Sequence, residues 1–174
     1  NMKHKNTNRE YAFLMVDYET PSIIKDLQKK IPSRELYTEE DNEDYGLEKQ
    51  SHVTLVPCLD NDIDIDKLKS YLKPIDEYDI VLTDISKFEC EEFDVLKCAV
   101  KSKALKDTNK EIVDKFETHS EYKDYNPHMT IAYMKKGMAD KYLKKILDKL
   151  ILLKAKNFNF SYFDGNKDKN ITFD

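Results

Sequence analysis

The sequence predicts an α+β domain with a duplicated outline, and three observations predict it. Short apolar runs of strand length alternate with amphipathic helices and hairpins, in the order strand-helix-strand-helix-strand-strand-helix-strand-helix-strand-strand. At 174 residues the chain fits one domain, 1–174, of two small lobes, long enough to bury a core, with residues 1–10 expected to be flexible. The motif His-x-Thr occurs twice inside apolar strands, as Ser51-His52-Val53-Thr54-Leu55-Val56 and as Pro127-His128-Met129-Thr130-Ile131-Ala132-Tyr133. Each copy follows a helix and a polar loop carrying Asp-Tyr (Asp44-Tyr45 and Asp124-Tyr125), and each precedes another helix. Such a repeat sets the two motifs across a pseudo-axis, facing one cleft.

Tyr11–Tyr18 is almost wholly apolar and reads as a strand buried on both faces. Thr20-Pro21 supplies an N-cap and a first-turn proline for a helix to about Lys30, with Ile23, Ile24, Leu27 and Ile31 as its buried stripe. Pro32 to Gln50 is polar and acidic with Tyr37 and Tyr45 interspersed, a loop long enough to act as a lid. The strand His52–Pro57 leads to a turn at Asp60–Asp64 and a short helix, Ile65–Leu72, ended by Pro74. Asp79–Phe88 and Phe93–Val100 form a hairpin turning at Cys90-Glu91-Glu92. Lys103–Phe116 is helical, with Leu105, Ile112, Val113 and Phe116 on one side, and His119 to Asn126 is a polar loop. The strand Pro127–Tyr133 exits at Gly137, and Met138–Leu152 has the 3.6-residue apolar period of a helix. Asn157–Asp164 and Asn170–Asp174 close the chain as a hairpin around Gly165-Asn166.

A formal charge of −5 disfavours a long nucleic-acid groove, because such a groove needs a basic footprint to displace phosphate counterions. No apolar run approaches a membrane span and the first ten residues lack an apolar signal core, so a soluble cytoplasmic protein without membrane contact is expected. Cys58, Cys90 and Cys98 have neither disulfide parity nor Cys-x-x-Cys spacing and read as reduced thiols.

With nine threonines in the chain, a histidine meets threonine two residues on about 5% of the time. Two of four histidines doing so is roughly a one-in-sixty event, which favours a functional pair. On a strand, His128 and Thr130 share one face while Met129 and Ile131 share the other. Two facing imidazoles can serve as base and acid in one displacement, and two hydroxyls can donate to oxygens on which charge builds. A phosphodiester suits this array, since attacking and leaving atoms are both oxygens. The candidate catalytic set is therefore His52, Thr54, His128 and Thr130. A metal centre needs a third ligand and a second shell of carboxylates, and neither histidine has one at suitable spacing, so no metal and no cofactor are expected. His4 and His119 read as solvent-exposed.

Paired His-x-Thr strands in a chain of this size resemble the two-histidine (2H) phosphoesterase superfamily, the LigT-like enzymes. That resemblance implies a bilobal, pseudo-symmetric fold with antiparallel sheets around a central cleft and helices on the outside. Within the superfamily, Tyr45-Gly46-Leu47-Glu48 and Tyr125-Asn126-Pro127-His128-Met129-Thr130-Ile131-Ala132-Tyr133 are similar to phage-encoded anti-CBASS phosphodiesterases. The implied substrate is a small cyclic oligonucleotide cut at a 3′-5′ linkage without metal, in the host cytoplasm if the chain is phage-encoded. The alternatives are a 2′,3′-cyclic phosphodiesterase or 2′-5′ ligase acting on RNA ends, and a non-catalytic nucleotide sponge. LigT-like members often carry a basic residue where this chain has Tyr133, a departure that argues against tRNA-directed ligation. Candidate substrate contacts are Tyr45, Tyr125, Tyr133 and Lys135, with Lys136 a further phosphate contact. Strict alternation assigns Tyr133 to the face opposite His128, a core position.

Overall fold

The computed structural model describes residues 10–144, 151–165 and 167–174. Eight strands form one antiparallel sheet: β1 (Ala12–Tyr18), β2 (His52–Leu59), β3 (Ile80–Glu89), β4 (Phe93–Lys101), β5 (His128–Lys135), β6 (Ile151–Leu153), β7 (Ala155–Asp164) and β8 (Lys167–Phe173). Among the described residues three α-helices accompany them: α1 (Ser22–Lys30), α2 (Ile65–Lys69) and α3 (Lys103–Lys115). The strand order is β6-β3-β4-β5-β2-β1-β7-β8. The fold is α+β, and none of its helices among the described residues is long and apolar enough to cross a membrane.

The two central strands are the two His-x-Thr strands, and they divide the sheet into halves of four. They meet through one registered pair, Val53 with Met129. Both residues are fully buried and belong to a core that includes Ile24 of α1 and Leu105 and Ile112 of α3. The helices therefore cover the Val53/Met129 face. The alternating residues His52, Thr54, His128 and Thr130 lie on the other. The motifs are thus lateral neighbours on one face of a sheet.

Each central strand carries a β-bulge three residues after its histidine. On β2 the pairing with β1 passes from Met15–Thr54 to Leu14–Val56, leaving Leu55 over. On β5 the pairing with β4 passes from Lys97–Thr130 to Leu96–Ala132, leaving Ile131 over. Each bulge carbonyl is capped by a side-chain amide from a helix. Asn109 Nδ2 of α3 donates to Leu55 O at 2.8 Å, and Gln28 Nε2 of α1 donates to Ile131 O at 3.1 Å. The duplication is thus kept in strand order, bulge position and capping.

The bulge corrects one expectation. An extra residue inverts the alternation beyond it, so Tyr133, paired with Val95, shares a face with Lys97 and Thr130. Tyr133 is half-buried on the His128 side of the sheet, whereas simple alternation assigns it to the core.

The loop before β2 is anchored at both ends. Tyr37 N donates to Tyr133 O at 2.9 Å, Tyr133 N to Gly46 O at 2.8 Å, and Glu48 N to Ile131 O at 2.9 Å. It occupies the edge of β5 that β2 vacates as the central strands diverge. Gly46, at φ +83°, makes the turn that returns the chain to this edge. Buried Glu35 fastens the loop's start, accepting from Lys141 Nζ and from Tyr142 Oη at 2.5 Å.

Among its described residues, the segment Met138–Leu152 does not form the expected helix. Asp140–Tyr142 is a single 3₁₀ turn, Lys144 pairs with Ile85 through two backbone hydrogen bonds of 2.8 and 3.1 Å, and Ile151–Leu153 is the edge strand β6. Residues 145–150 of the expected helix lie outside the described residues. Edge hydrogen bonds along β3 override the local helical period. The N-cap differs too: Thr20 bonds Ser51 Oγ at 2.8 Å, and the helix starts at Ser22 with no side-chain cap. α2 ends at Lys69, three residues before the expected Leu72, and Asp64 caps its first turn. The final hairpin forms as expected, with β8 starting at Lys167; His4 lies outside the described residues.

Candidate active site

Both histidines are held alike. His52 Nδ1 bonds Gln50 O at 2.9 Å, and His128 Nδ1 bonds Asn126 O at 3.0 Å. A carbonyl can only accept, so each Nδ1 carries a proton and each neutral ring is left with Nε2 as its base. Extending the antiparallel register by one residue on either side of Val53–Met129 sets His52 alongside Thr130 and Thr54 alongside His128. The result is a square of two imidazoles and two hydroxyls on one face. Val53–Met129 is the registered pair between the two strands, and each ring is tethered to the backbone carbonyl two residues before it.

The surroundings of the two rings differ. A Glu48 carboxylate oxygen lies 3.7 Å from His52 Nδ1, close enough to pair with an imidazolium. Burial raises the Glu48 pKa, and His52 opposes that rise. Asp17, cross-strand from His52 and 6% exposed, accepts from Asn157 Nδ2 at 3.0 Å and Asn159 Nδ2 at 3.3 Å. His128 has no carboxylate beside it among the described residues. Its ring meets Phe88 edge-on, centroids 4.8 Å apart. Burial lowers its pKa; the Asn126 carbonyl opposes this, and the nearby Lys97 and His52 add to it.

The structure brings two of the candidate substrate contacts, Tyr45 and Tyr133, together. Their rings meet edge to face at 5.2 Å and join Phe93 and Tyr37 in one cluster. Burial and the Glu48 carboxylate push the Tyr133 hydroxyl pKa up, which places this wall beside the His52 half of the square. The other two candidates sit elsewhere. Tyr125 packs against the core with its hydroxyl donating to Thr54 O at 2.8 Å, so it braces the first motif from behind. Lys135 is exposed at the end of β5, seven residues and about 23 Å from His128 along the strand. Lys136 is committed to Cys90 O and Asp94 Oδ1, each at 2.9 Å.

His119, expected to be solvent-exposed, is half-buried: its Nε2 is 2.8 Å from Asp60 Oδ1 and its ring stacks on Tyr11 at 4.8 Å. With Glu117 these groups form the cluster of metal-ligand type among the described residues. It stands at the far end of β2 from His52 and holds the loop before β5 to that strand.

Sequence reasoning missed Lys97, Phe88, Glu48 and Asp17. For Lys97 a signal existed, a single charge inside the apolar run Val95–Val100. Phe88, Glu48 and Asp17 become site residues only through strand pairing and loop docking.

A family model of the 2′-5′ RNA ligase superfamily matches residues 21–162. No curated protein matches the chain. Among solved structures, it is similar to E. coli LigT in apo form, at 13% identity over 95% of each chain with a TM-score of 0.45.

Proposed function

The chain belongs to the 2′-5′ RNA ligase superfamily, and on that premise we propose that it is a metal-independent phosphodiesterase that hydrolyses 3′-5′ linkages of cyclic di- or trinucleotides. Membership implies chemistry at a phosphodiester, cleavage or ligation. The observation that carries the proposal is the square of His52, Thr54, His128 and Thr130, with both Nδ1 atoms tied back and both Nε2 atoms left for reaction. His128, which lacks a carboxylate neighbour and has a lowered pKa, is the base. Its Nε2 takes a proton from the attacking water as the water oxygen bonds to phosphorus. His52, beside Glu48, is the acid and delivers a proton to the departing ribose oxygen as its bond to phosphorus breaks. The hydroxyls of Thr54 and Thr130 donate to the non-bridging oxygens, where negative charge develops. No step draws on a metal.

The small cyclic substrate follows from two features. The net charge of −5 suits a compact anion held in a local site better than a polymer, and Tyr45 and Tyr133 offer ring edges and faces for a base. The sequence resemblance narrows this class to the cyclic oligonucleotide messengers of bacterial immunity, cleaved in the cytoplasm of the host of a phage. The superfamily description supports a second reading, action on 2′,3′-cyclic or 2′-5′ RNA ends.

The test is turnover of cyclic di- and trinucleotides, 2′,3′-cyclic mononucleotides and 2′-5′ oligoadenylate, with and without EDTA. Linear products from the cyclic oligonucleotides in EDTA are expected, with kcat/KM down ~10²–10⁴-fold in His52→Ala and in His128→Ala. Loss of activity in EDTA overturns the metal-free mechanism, and turnover of RNA ends alone selects the second reading. Binding without turnover in wild type makes the protein a sponge.

A further inference from the structure

Lys97 lies on the His128 face of the sheet, and the mechanism above leaves it unused. It sits mid-strand on β4, 9% exposed, in a run that is otherwise apolar. Among the described residues no carboxylate pairs with its ammonium, and Nζ lies over the Phe88 ring, 4.4 Å from its centroid. Lysines are almost never this buried without a partner, because the charge loses its water. Burial accordingly lowers the Lys97 pKa, the cost of keeping the charge where it is.

Its position says what the charge serves. Lys97 is registered against Ser86 on β3 and against Thr130 on β5, so a hydroxyl, an ammonium and a second hydroxyl stand in one cross-strand row on the His128 face. Ala99, two residues on, is registered against His128 itself. The Phe88 ring touches both Lys97 and His128 and shields them from water on one side. Lys97 lies close enough to His128 to disfavour a second proton on that ring.

We propose that Lys97, flanked by the hydroxyls of Ser86 and Thr130, is an anion subsite in the floor of the cleft that binds the non-bridging oxygens of the scissile phosphate. The inference rests on the phosphodiester reading of the two histidines and adds a cation to it. A phosphate oxygen on Lys97 supplies the missing counter-charge and sets phosphorus beside His128. The ammonium also opposes the negative charge that accumulates as the water oxygen attacks, without donating its proton.

The experiment compares wild type, Lys97→Met, Lys97→Gln and Lys97→Arg in two measurements. Thermal unfolding at pH 7 is followed with increasing inorganic phosphate, and kcat and KM are measured on a cyclic dinucleotide. Expected are a phosphate-dependent rise in Tm for wild type that Lys97→Met and Lys97→Gln lose, and a ligand-free Tm in Lys97→Met at or above that of wild type. Turnover should fall at least 100-fold in both neutral variants, mainly in kcat, with part of it kept in Lys97→Arg. The proposal is overturned if phosphate stabilises the neutral variants as it does wild type, or fails to stabilise wild type. It is also overturned if both neutral variants fail to fold or keep wild-type kcat per folded molecule, since the lysine is then structural or idle. Should wild type turn over no phosphodiester, the superfamily reading of the chemistry fails, while the phosphate measurement still decides Lys97.

Discussion

His52 and His128 make the same hydrogen bond to their own strands and differ only in what surrounds them. That difference is measurable as pH dependence. The His128 pKa is lowered below its ordinary 6.5, chiefly by burial. The acid limb of kcat/KM, which reports the free base, should therefore have its midpoint below pH 6.5 and be absent from the residual rate of His128→Gln. Stability shifts by the same linkage. A depressed histidine pKa means that the unfolded chain binds the proton first as pH falls. The contribution of His128 is thus fully present above about pH 6.5 and is lost as pH drops from there through the folded pKa. Urea unfolding of wild type and His128→Gln between pH 7.5 and 5 should show a shallower fall for the variant; an identical slope refutes the assignment. Lys97 has the corresponding sign. Below its depressed pKa it is charged in both states, and the folded state alone bears the burial, which is why its neutral replacement should not destabilise.

At the scale of elements, the two bulges position the site. Leu55 and Ile131 lie third after their histidines, and each carbonyl turned out of the ladder is met by a helix amide. Removing the Asn109 amide leaves the buried Leu55 carbonyl short of a partner, at about 1–3 kcal/mol, whereas the Ile131 carbonyl keeps its bond from Glu48 N. Asn109→Ala should lower unfolding free energy by that amount in urea titrations, and Gln28→Ala by less, since Ile131 O still accepts from Glu48 N. The double variant should lose roughly the sum, since the two amides serve different strands. Turnover should fall further than the change in folded fraction explains, because each bulge sets the side chain that follows a catalytic threonine. A variant pair that leaves both quantities unchanged makes the capping ornamental. The anchored loop belongs to the same scale: its hydrogen bonds to β5 present Tyr45 to Tyr133, a docking that a free lid would not have.

At the scale of the whole molecule, two four-stranded halves share one sheet and meet at a single registered pair, Val53–Met129. The face opposite the helices carries histidine, threonine, lysine and aromatic groups on a chain whose net charge is −5. Attraction for phosphate is then local, through few cations. Raising salt should weaken cyclic dinucleotide binding with a log–log slope of about 1 to 2, against ~6 or more for a protein that tracks a nucleic-acid backbone. Titration between 50 and 300 mM salt measures the slope, and a steep value, or tight binding of long RNA, contradicts a compact substrate.

The candidate catalytic set was legible in the sequence because a short motif in an apolar strand needs only local information. His52, Thr54, His128 and Thr130 are defined by type, by two-residue spacing and by flanking apolar residues. Tyr133 was not: Thr130-Ile131-Ala132 reads as regular alternation, and only pairing with β4 reveals the extra residue that turns the ring to the His128 face. The segment Met138–Leu152 has a helical period, yet its ends pair with β3, because an open sheet edge offers backbone hydrogen bonds that propensity does not count. Which cation faces the histidines was also a matter of register. Lys135 stands near His128 in sequence, but Lys97, thirty-one residues earlier, stands beside it in the sheet. Local chemistry fixes the reacting groups, and cross-strand registration, which no local pattern encodes, decides what surrounds them.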